Sequence, residues 1–259
     1  MDLVRRQWLA GICSVGAGVV LLGCEGRNPE EEASEKAGKE SASMEVTATE
    51  DLMREHGVLR RALLVYQESA VKLRVDASKI SPEALQKTAK LFRAFGEEYH
   101  EKKLEETHIF PAVKSANGLA AAYVGVLIAQ HDRGRQITDY ILSVTNAANL
   151  ASGNVDPLAQ ALEALGRMYQ HHAAIEDTII FPAWKETMTK NQFDDISDKF
   201  EEIEHQQFGK DGYEDAVKQI GDIETSLGLA DLGQFTAPPA PALPETKPQD
   251  ETDSVKKKL

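Results

Sequence analysis

The sequence predicts an all-α protein, an antiparallel four-helix bundle with a C-terminal helical extension, on three observations. Apolar residues recur at helical spacing through long segments. No segment alternates β-branched and polar residues as a strand would. One helical pattern is also used twice: His100-Glu101-Lys102-Lys103-Leu104-Glu105-Glu106-Thr107-His108-Ile109-Phe110-Pro111-Ala112 returns as His172-Ala173-Ala174-Ile175-Glu176-Asp177-Thr178-Ile179-Ile180-Phe181-Pro182-Ala183. Arg54-Glu55-His56 precedes the first copy and Ala129-Gln130-His131 the second, so the repeat offset is 75 residues at the single histidines and 71 at the Phe-Pro pairs. Two helical hairpins of common design follow, packed about a pseudo-twofold axis.

The first helix starts at Thr47-Ala48-Thr49-Glu50, a capping-box spacing, and puts His56 in register with Leu59, Leu63 and Tyr66 on its apolar face. Helix two opens with Ser81 as N-cap and Pro82 at the first helical position, and carries Leu85, Phe92, Phe95 and Tyr99 ahead of His100. The pattern predicts helix three over roughly 119–150, with Leu127, His131 and Ile137. Helix four opens at Asp156-Pro157 and holds Leu158, Leu162, Leu165 and Met168 before His172. Phe110-Pro111 and Phe181-Pro182 are expected to seal and end their helices. Two further amphipathic stretches, 191–208 and 213–227, are expected to form a cap.

The ends divide the chain of 259 residues further. Residues 1–23 read as an export leader: Arg5 and Arg6, an apolar run from Trp8 to Leu22 too short to span a bilayer, then Leu21-Leu22-Gly23-Cys24. That last string resembles a lipobox, whose cysteine becomes the lipidated first residue. Arg5-Arg6 also resembles a twin-arginine export signal. Residues 24–46 form a polar tether, 47–188 the bundle, 189–230 the cap and 231–259 a Pro-rich, then charged, disordered tail. The expected location is the cell envelope, anchored by lipid on Cys24 and facing the periplasm.

Composition narrows the chemistry. Losing Asp2, Arg5 and Arg6 with the leader takes the net charge from −13 to −14, a poor surface for nucleic acid. With Cys13 removed and Cys24 lipidated, no thiolate remains for a metal, so ligands must be imidazole and carboxylate. Sequence offers no Ser-His-Asp or Cys-His nucleophile, phosphate-cradling loop or dinucleotide fingerprint, and no catalytic residue is assigned.

The ligand geometry is uneven. His172 and Glu176, four apart, differ by about 40° around an ideal helix and share a face. His100 and Glu105, five apart, differ by about 140°, and a one-residue π-bulge between them would restore a common face. Glu101 is the second choice for that role.

His56, the His100 to Pro111 segment, His131 and the His172 to Pro182 segment together resemble the hemerythrin-like family, or HHE cation-binding domains. The resemblance implies a four-helix bundle with a non-haem di-iron centre, manganese or zinc being less favoured. It implies Glu105 and Glu176 as bridges and His56, His100, His131 and His172 as terminal ligands. It also implies O2, another diatomic molecule or peroxide as the ligand, with reduction of O2, peroxide or nitric oxide, or iron handling, as alternatives. One departure stands out. Oxygen-carrying members have a second histidine four residues after the one on helix three, where this chain has Arg135. Either that shell has one histidine fewer, or His171, His108 or His205 replaces it. Of these, His108 is expected to face solvent and His205 to be structural in the cap, with His171 a surface or outer-shell neighbour. Arg135 itself is expected to point at the metal cavity or to pair with a carboxylate such as Glu105 or Glu176.

Overall fold

The computed structural model describes residues 46–147 and 150–242. The leader, Cys24, the tether up to residue 45 and the tail beyond 242 lie outside the described residues. Among the described residues there are helices and no strands. Helix α1 is Ala48–Asp76, with the Thr47 hydroxyl accepting from the Glu50 amide. Helix α2 opens as Pro82–Leu91 behind the Ser81 cap, continues as a π-helix over Phe92–Ile109 and ends as Phe110–Ala116. Helix α3 is Ala121–Val144. Helix α4 runs as Val155–Ile175, a π turn over Glu176–Ile180, and Phe181–Lys185. Helices α5, Lys190–Phe208, and α6, Gly212–Ser226, follow.

Several boundaries depart from the sequence expectation. Helix α3 stops at Val144, where the Thr145 side chain turns back to the Ile141 carbonyl and loop residues follow. The two Phe-Pro pairs do not end their helices. Each proline lies in the first turn of a renewed α segment, where its missing N–H removes no bond that the helix needs. The preceding turn widens instead: the Phe110 amide donates to the Glu105 carbonyl and the Phe181 amide to the Glu176 carbonyl, both five residues back. The π geometry expected as one bulge near His100 extends over 18 residues, whereas the second repeat has 5. The tail, expected to be disordered from 231, starts with a 3-10 turn at Leu232–Phe235 capped by the Asp231 side chain.

The core runs through the bundle. Leu52, Leu63, Tyr66, Leu85, Phe92, Phe95, Leu158, Leu162 and Leu165 are buried, each large side chain contributing about 1.5–3 kcal/mol. Helix α1 lies along α4 for most of its length, while α2 contacts both α1 and α3. The cap helices pack on the α1/α2 side. Arg61 makes a two-pronged bond to Glu224 at 2.9 and 2.5 Å, Arg54 stacks on the Tyr213 ring, and Phe208 sits edge-on to Tyr99 at 5.2 Å. Trp184 lies flat on Phe200, tying the end of α4 to α5. No helix among the described residues is long and apolar enough to cross a membrane.

Gly134 on α3 shows how tightly the interior is shaped, because a Cβ there would stand 2.0 Å from the Tyr169 hydroxyl. Gly134→Ala should therefore displace Tyr169 and cost about 1–3 kcal/mol in urea denaturation, as overpacking does. A variant as stable as the parent would show that the ring can move freely.

Candidate metal centre

Four helices deliver the six sequence-predicted residues to one buried place. His56 comes from α1, His100 and Glu105 from the π stretch of α2, His131 from α3, and His172 and Glu176 from α4; none is more than 3% exposed. Two histidine pairs face each other, His56 Nε2 to His100 Nε2 at 3.0 Å and His131 Nε2 to His172 Nε2 at 2.9 Å. The carboxylates span the two pairs. Glu105 puts one oxygen 3.3 Å from His100 and the other 3.3 Å from His131. Glu176 puts one 2.9 Å from His172 and the other 3.5 Å from His56. The wider π turn brings His100 and Glu105 onto one face despite their five-residue spacing.

Behind each ring stands an acceptor. The Nδ1 of His56 meets Asp177 at 2.7 Å, that of His100 meets Glu55 at 2.6 Å, that of His131 meets Glu106 at 2.8 Å, and that of His172 meets the Gln130 amide oxygen at 2.9 Å. An Nδ1–H that donates outward leaves Nε2 with a lone pair pointing inward. Four lone pairs thus converge, in pairs about 3 Å apart, on four carboxylate oxygens that have no hydrogen bond of their own. Such a set repels itself unless a cation or protons occupy it.

The electrostatics show the same demand. Burial pulls the His131 imidazole toward its neutral form, but Glu101, Glu105 and Glu106 outweigh it and push the pKa up to about 10. Burial likewise opposes charge on His100, yet Glu105 and Glu55 hold it well above the usual range. Glu105 is the mirror case: burial disfavours its charge, and His100 and His131 still draw it well below the carboxylate range. Around the centre stand the carboxylates of Glu55, Glu101, Glu105, Glu106, Glu176 and Asp177, against the guanidiniums of Arg60 and Arg135.

Arg135 pairs with carboxylates, as expected, but not with Glu105 or Glu176. It binds Glu101 at 3.0 Å, Glu106 at 2.9 Å and Asp132 at 3.0 Å, because Glu106 stands behind His131 on the side that α3 presents. Arg60, four residues after His56, grips Asp177 in the same way in the other half. Glu101 is buried but engaged elsewhere, accepting from the Tyr169 hydroxyl at 2.6 Å as well as from Arg135. None of the three substitute histidines enters the centre. His171 and His205 are exposed. His108, expected in solvent, is half-buried against Phe200 because α5 covers it. Phe181 and Phe110 stack on His56 and His131 at 5.4 and 5.5 Å, so the Phe-Pro pairs do seal the site.

Sequence reasoning missed Glu55, Gln130, Glu106, Asp177 and Arg60. Their signal was adjacency: each of the first four precedes or follows a predicted ligand. Their targets, however, lie on neighbouring helices, which no spacing within one helix discloses.

A helical bundle with this constellation defines a class of cation-binding protein, and comparison agrees. Residues 47–184 match the hemerythrin HHE cation binding domain, and the chain belongs to that family. It is 42% identical over 235 residues to uncharacterized proteins of Mycobacterium bovis (Mb2018) and Mycobacterium tuberculosis (MT2051 and Rv1995), covering 90% of this chain and 91% of each relative. No solved structure matches.

Replacing Arg135 by Met should cost about 1–3 kcal/mol, since Glu101 and Glu106 lose their cation while partly screened by water. Urea denaturation measures it. The penalty should shrink in Arg135→Met combined with Glu101→Gln, and equal penalties in the two backgrounds would refute the pairing.

Proposed function

We propose that the protein holds two iron ions and binds O2 or a related small molecule, another diatomic or peroxide, at that centre. The observation that carries this reading is the convergence of four inward Nε2 lone pairs on the four unbonded oxygens of Glu105 and Glu176. The facing imidazole nitrogens, 3.0 and 2.9 Å apart, are close enough for each pair to hold one ion. His56 and His100 would hold one ion and His131 and His172 the other, with each carboxylate giving one oxygen to each. Carboxylates outnumber guanidiniums around the centre, an excess of negative charge that bound cations would offset. Imidazole and carboxylate without thiolate suit iron, with manganese or zinc as poorer alternatives.

Iron in such a site supplies reversible electron donation to a bound oxidant. The chain's own residues shape what reaches it. A small pocket lined by Leu59, Leu63, Tyr169 and Ala173 opens onto His56, His100 and Glu176, with room for little more than one water-sized molecule. Its apolar walls limit water, and the acceptors behind the rings hold the imidazoles in one tautomer. Two imidazoles per ion, with Arg135 and Arg60 bonded to carboxylates, would leave coordination positions for an external ligand. A second reading, reduction of O2, peroxide or nitric oxide, is favoured by Glu101 and Tyr169, which border the pocket as a hydrogen-bonded pair able to hold a proton there. Iron handling is a weaker alternative, since a buried, fully buttressed ligand set suits retention more than delivery.

Two measurements test these assignments. His172→Ala and Glu176→Ala should each remove most bound iron, read by metal analysis, while circular dichroism stays helical; two irons per chain in both variants would refute the ligand set. The ultraviolet-visible spectrum through anaerobic reduction and re-oxygenation separates binding, which cycles, from turnover, which consumes the oxidant. For location, we propose attachment at the cell envelope through lipid on Cys24. Intact mass spectrometry of membrane-extracted protein should show an acyl increment on a chain beginning at Cys24, and a soluble mature form lacking that residue would end the idea.

A further inference from the structure

The internal repeat allows one half of the centre to be compared with the other, position by position. From α1 to α3 the offset is 75, and from the residues before His100 to those before His172 it is 72. Outside the centre the halves part company. On the α1/α2 side Leu91, Phe95 and Tyr99 are buried, with Phe95 and Tyr99 lying against Phe208 at the end of α5. Their counterparts are Glu163, Arg167 and His171, which border an open groove of about 550 Å³ along α4. Gln130, the counterpart of Glu55, borders the same groove. The cap thus covers one half, and the equivalent face of the other half is polar and open to solvent.

The second difference lies directly behind the rings. His100 donates to a carboxylate, Glu55, itself fixed by the Tyr99 hydroxyl at 2.9 Å, whereas His172 donates to the neutral amide of Gln130. The remaining two rings are matched, His56 on Asp177 and His131 on Glu106, each carboxylate held by an arginine. Glu101 adds a carboxylate 3.9 Å from His131, itself bonded to Arg135 and Tyr169. The direct hydrogen bonds to the rings therefore differ at one place, Glu55 behind His100 against Gln130 behind His172. A carboxylate behind an imidazole makes it the stronger ligand, and such partners change metal affinity by about 10–100-fold.

We propose that the two cation positions are unequal: the His56/His100 position, with Glu55 behind His100, holds its ion more tightly than the His131/His172 position, where Gln130 stands behind His172. This rests on the two-cation reading. The neutral amide leaves His172 the weaker ligand, and Gln130 borders the open groove, where water competes for its amide, while Glu55 is buried and fixed by Tyr99.

The test uses the full mature chain loaded with Co2+, whose absorption reports imidazole and carboxylate ligation, and then challenged with EDTA. The expected result is biphasic loss, one Co2+ leaving about tenfold or more faster than the other. Gln130→Glu should slow the fast phase toward the slow one, and Glu55→Gln should accelerate the slow phase, while circular dichroism confirms folding. Loss of both ions in a single phase, or a fast phase untouched by Gln130→Glu, would overturn the proposal. A chain that takes up fewer than two Co2+ would instead overturn the two-cation reading on which it rests.

Discussion

Two carboxylates without hydrogen bonds in the middle of a helical bundle set the terms for the rest of the interior. Burying an ionised carboxylate without a partner costs far more than any single packing contact returns. Glu105 and Glu176 are nevertheless fully buried, and the surrounding side chains act on that cost at successive distances. Four imidazoles face them, a carbonyl or carboxylate oxygen stands behind each imidazole, and a guanidinium stands behind two of those carboxylates. Charge alternates outward from the centre until it reaches solvent. The rings of Phe181 and Phe110 stack on His56 and His131 and help to fix those two imidazoles.

The backbone yields to this arrangement. An α-helix cannot bring residues five apart onto one face, and a π-helix is rare because its hydrogen bonds and packing are poorer. The α2 segment adopts it over Phe92–Ile109, where His100 and Glu105 must act together and Pro111 follows. In α4 the ligands are four apart, and a π turn appears only between Glu176 and the Phe181-Pro182 pair. One extra residue in the first ligand spacing calls for a π turn between His100 and Glu105, where the second repeat needs none between His172 and Glu176. The proline accounts for what both share, since a residue without an N–H must be preceded by a turn that does not need its bond.

How far the sequence could be read depended on whether the information was local. The duplicated strings placed six residues on helix faces, and periodicity located α1, α5 and α6 within a few residues, because caps such as Thr47 and Ser81 and the apolar stripes act within one helix. What connects helices was out of reach. Glu55 orients His100 rather than its neighbour His56, and Asp177 orients His56 rather than anything on α4. The end of α3 at Val144 was missed because Ala147, Ala148 and Leu150 continue to look helical, while the turn depends on the Thr145 side chain. His108 was misplaced for a different reason: Phe200, which covers it, lies some ninety residues away in a part of the chain outside the repeat.

Arg135 shows why one half of a duplicated protein should be interpreted through the other. Taken alone, it marks a missing histidine and suggests a cation pointing into a metal cavity. Its counterpart Arg60 shows the position to be the same in both halves, and each arginine binds the carboxylate that immediately follows a buried glutamate. The position has become part of the charge alternation and no longer faces the centre. Guanidinium is suited to that role because it stays charged and can bridge several carboxylates at once, as Arg135 does with Glu101, Glu106 and Asp132. The consequence reaches the pocket. With Arg135 turned away and tied to Glu101, the face toward the ligand space is left to Tyr169 and Glu101, and Gly134 provides the clearance that lets the Tyr169 hydroxyl sit there.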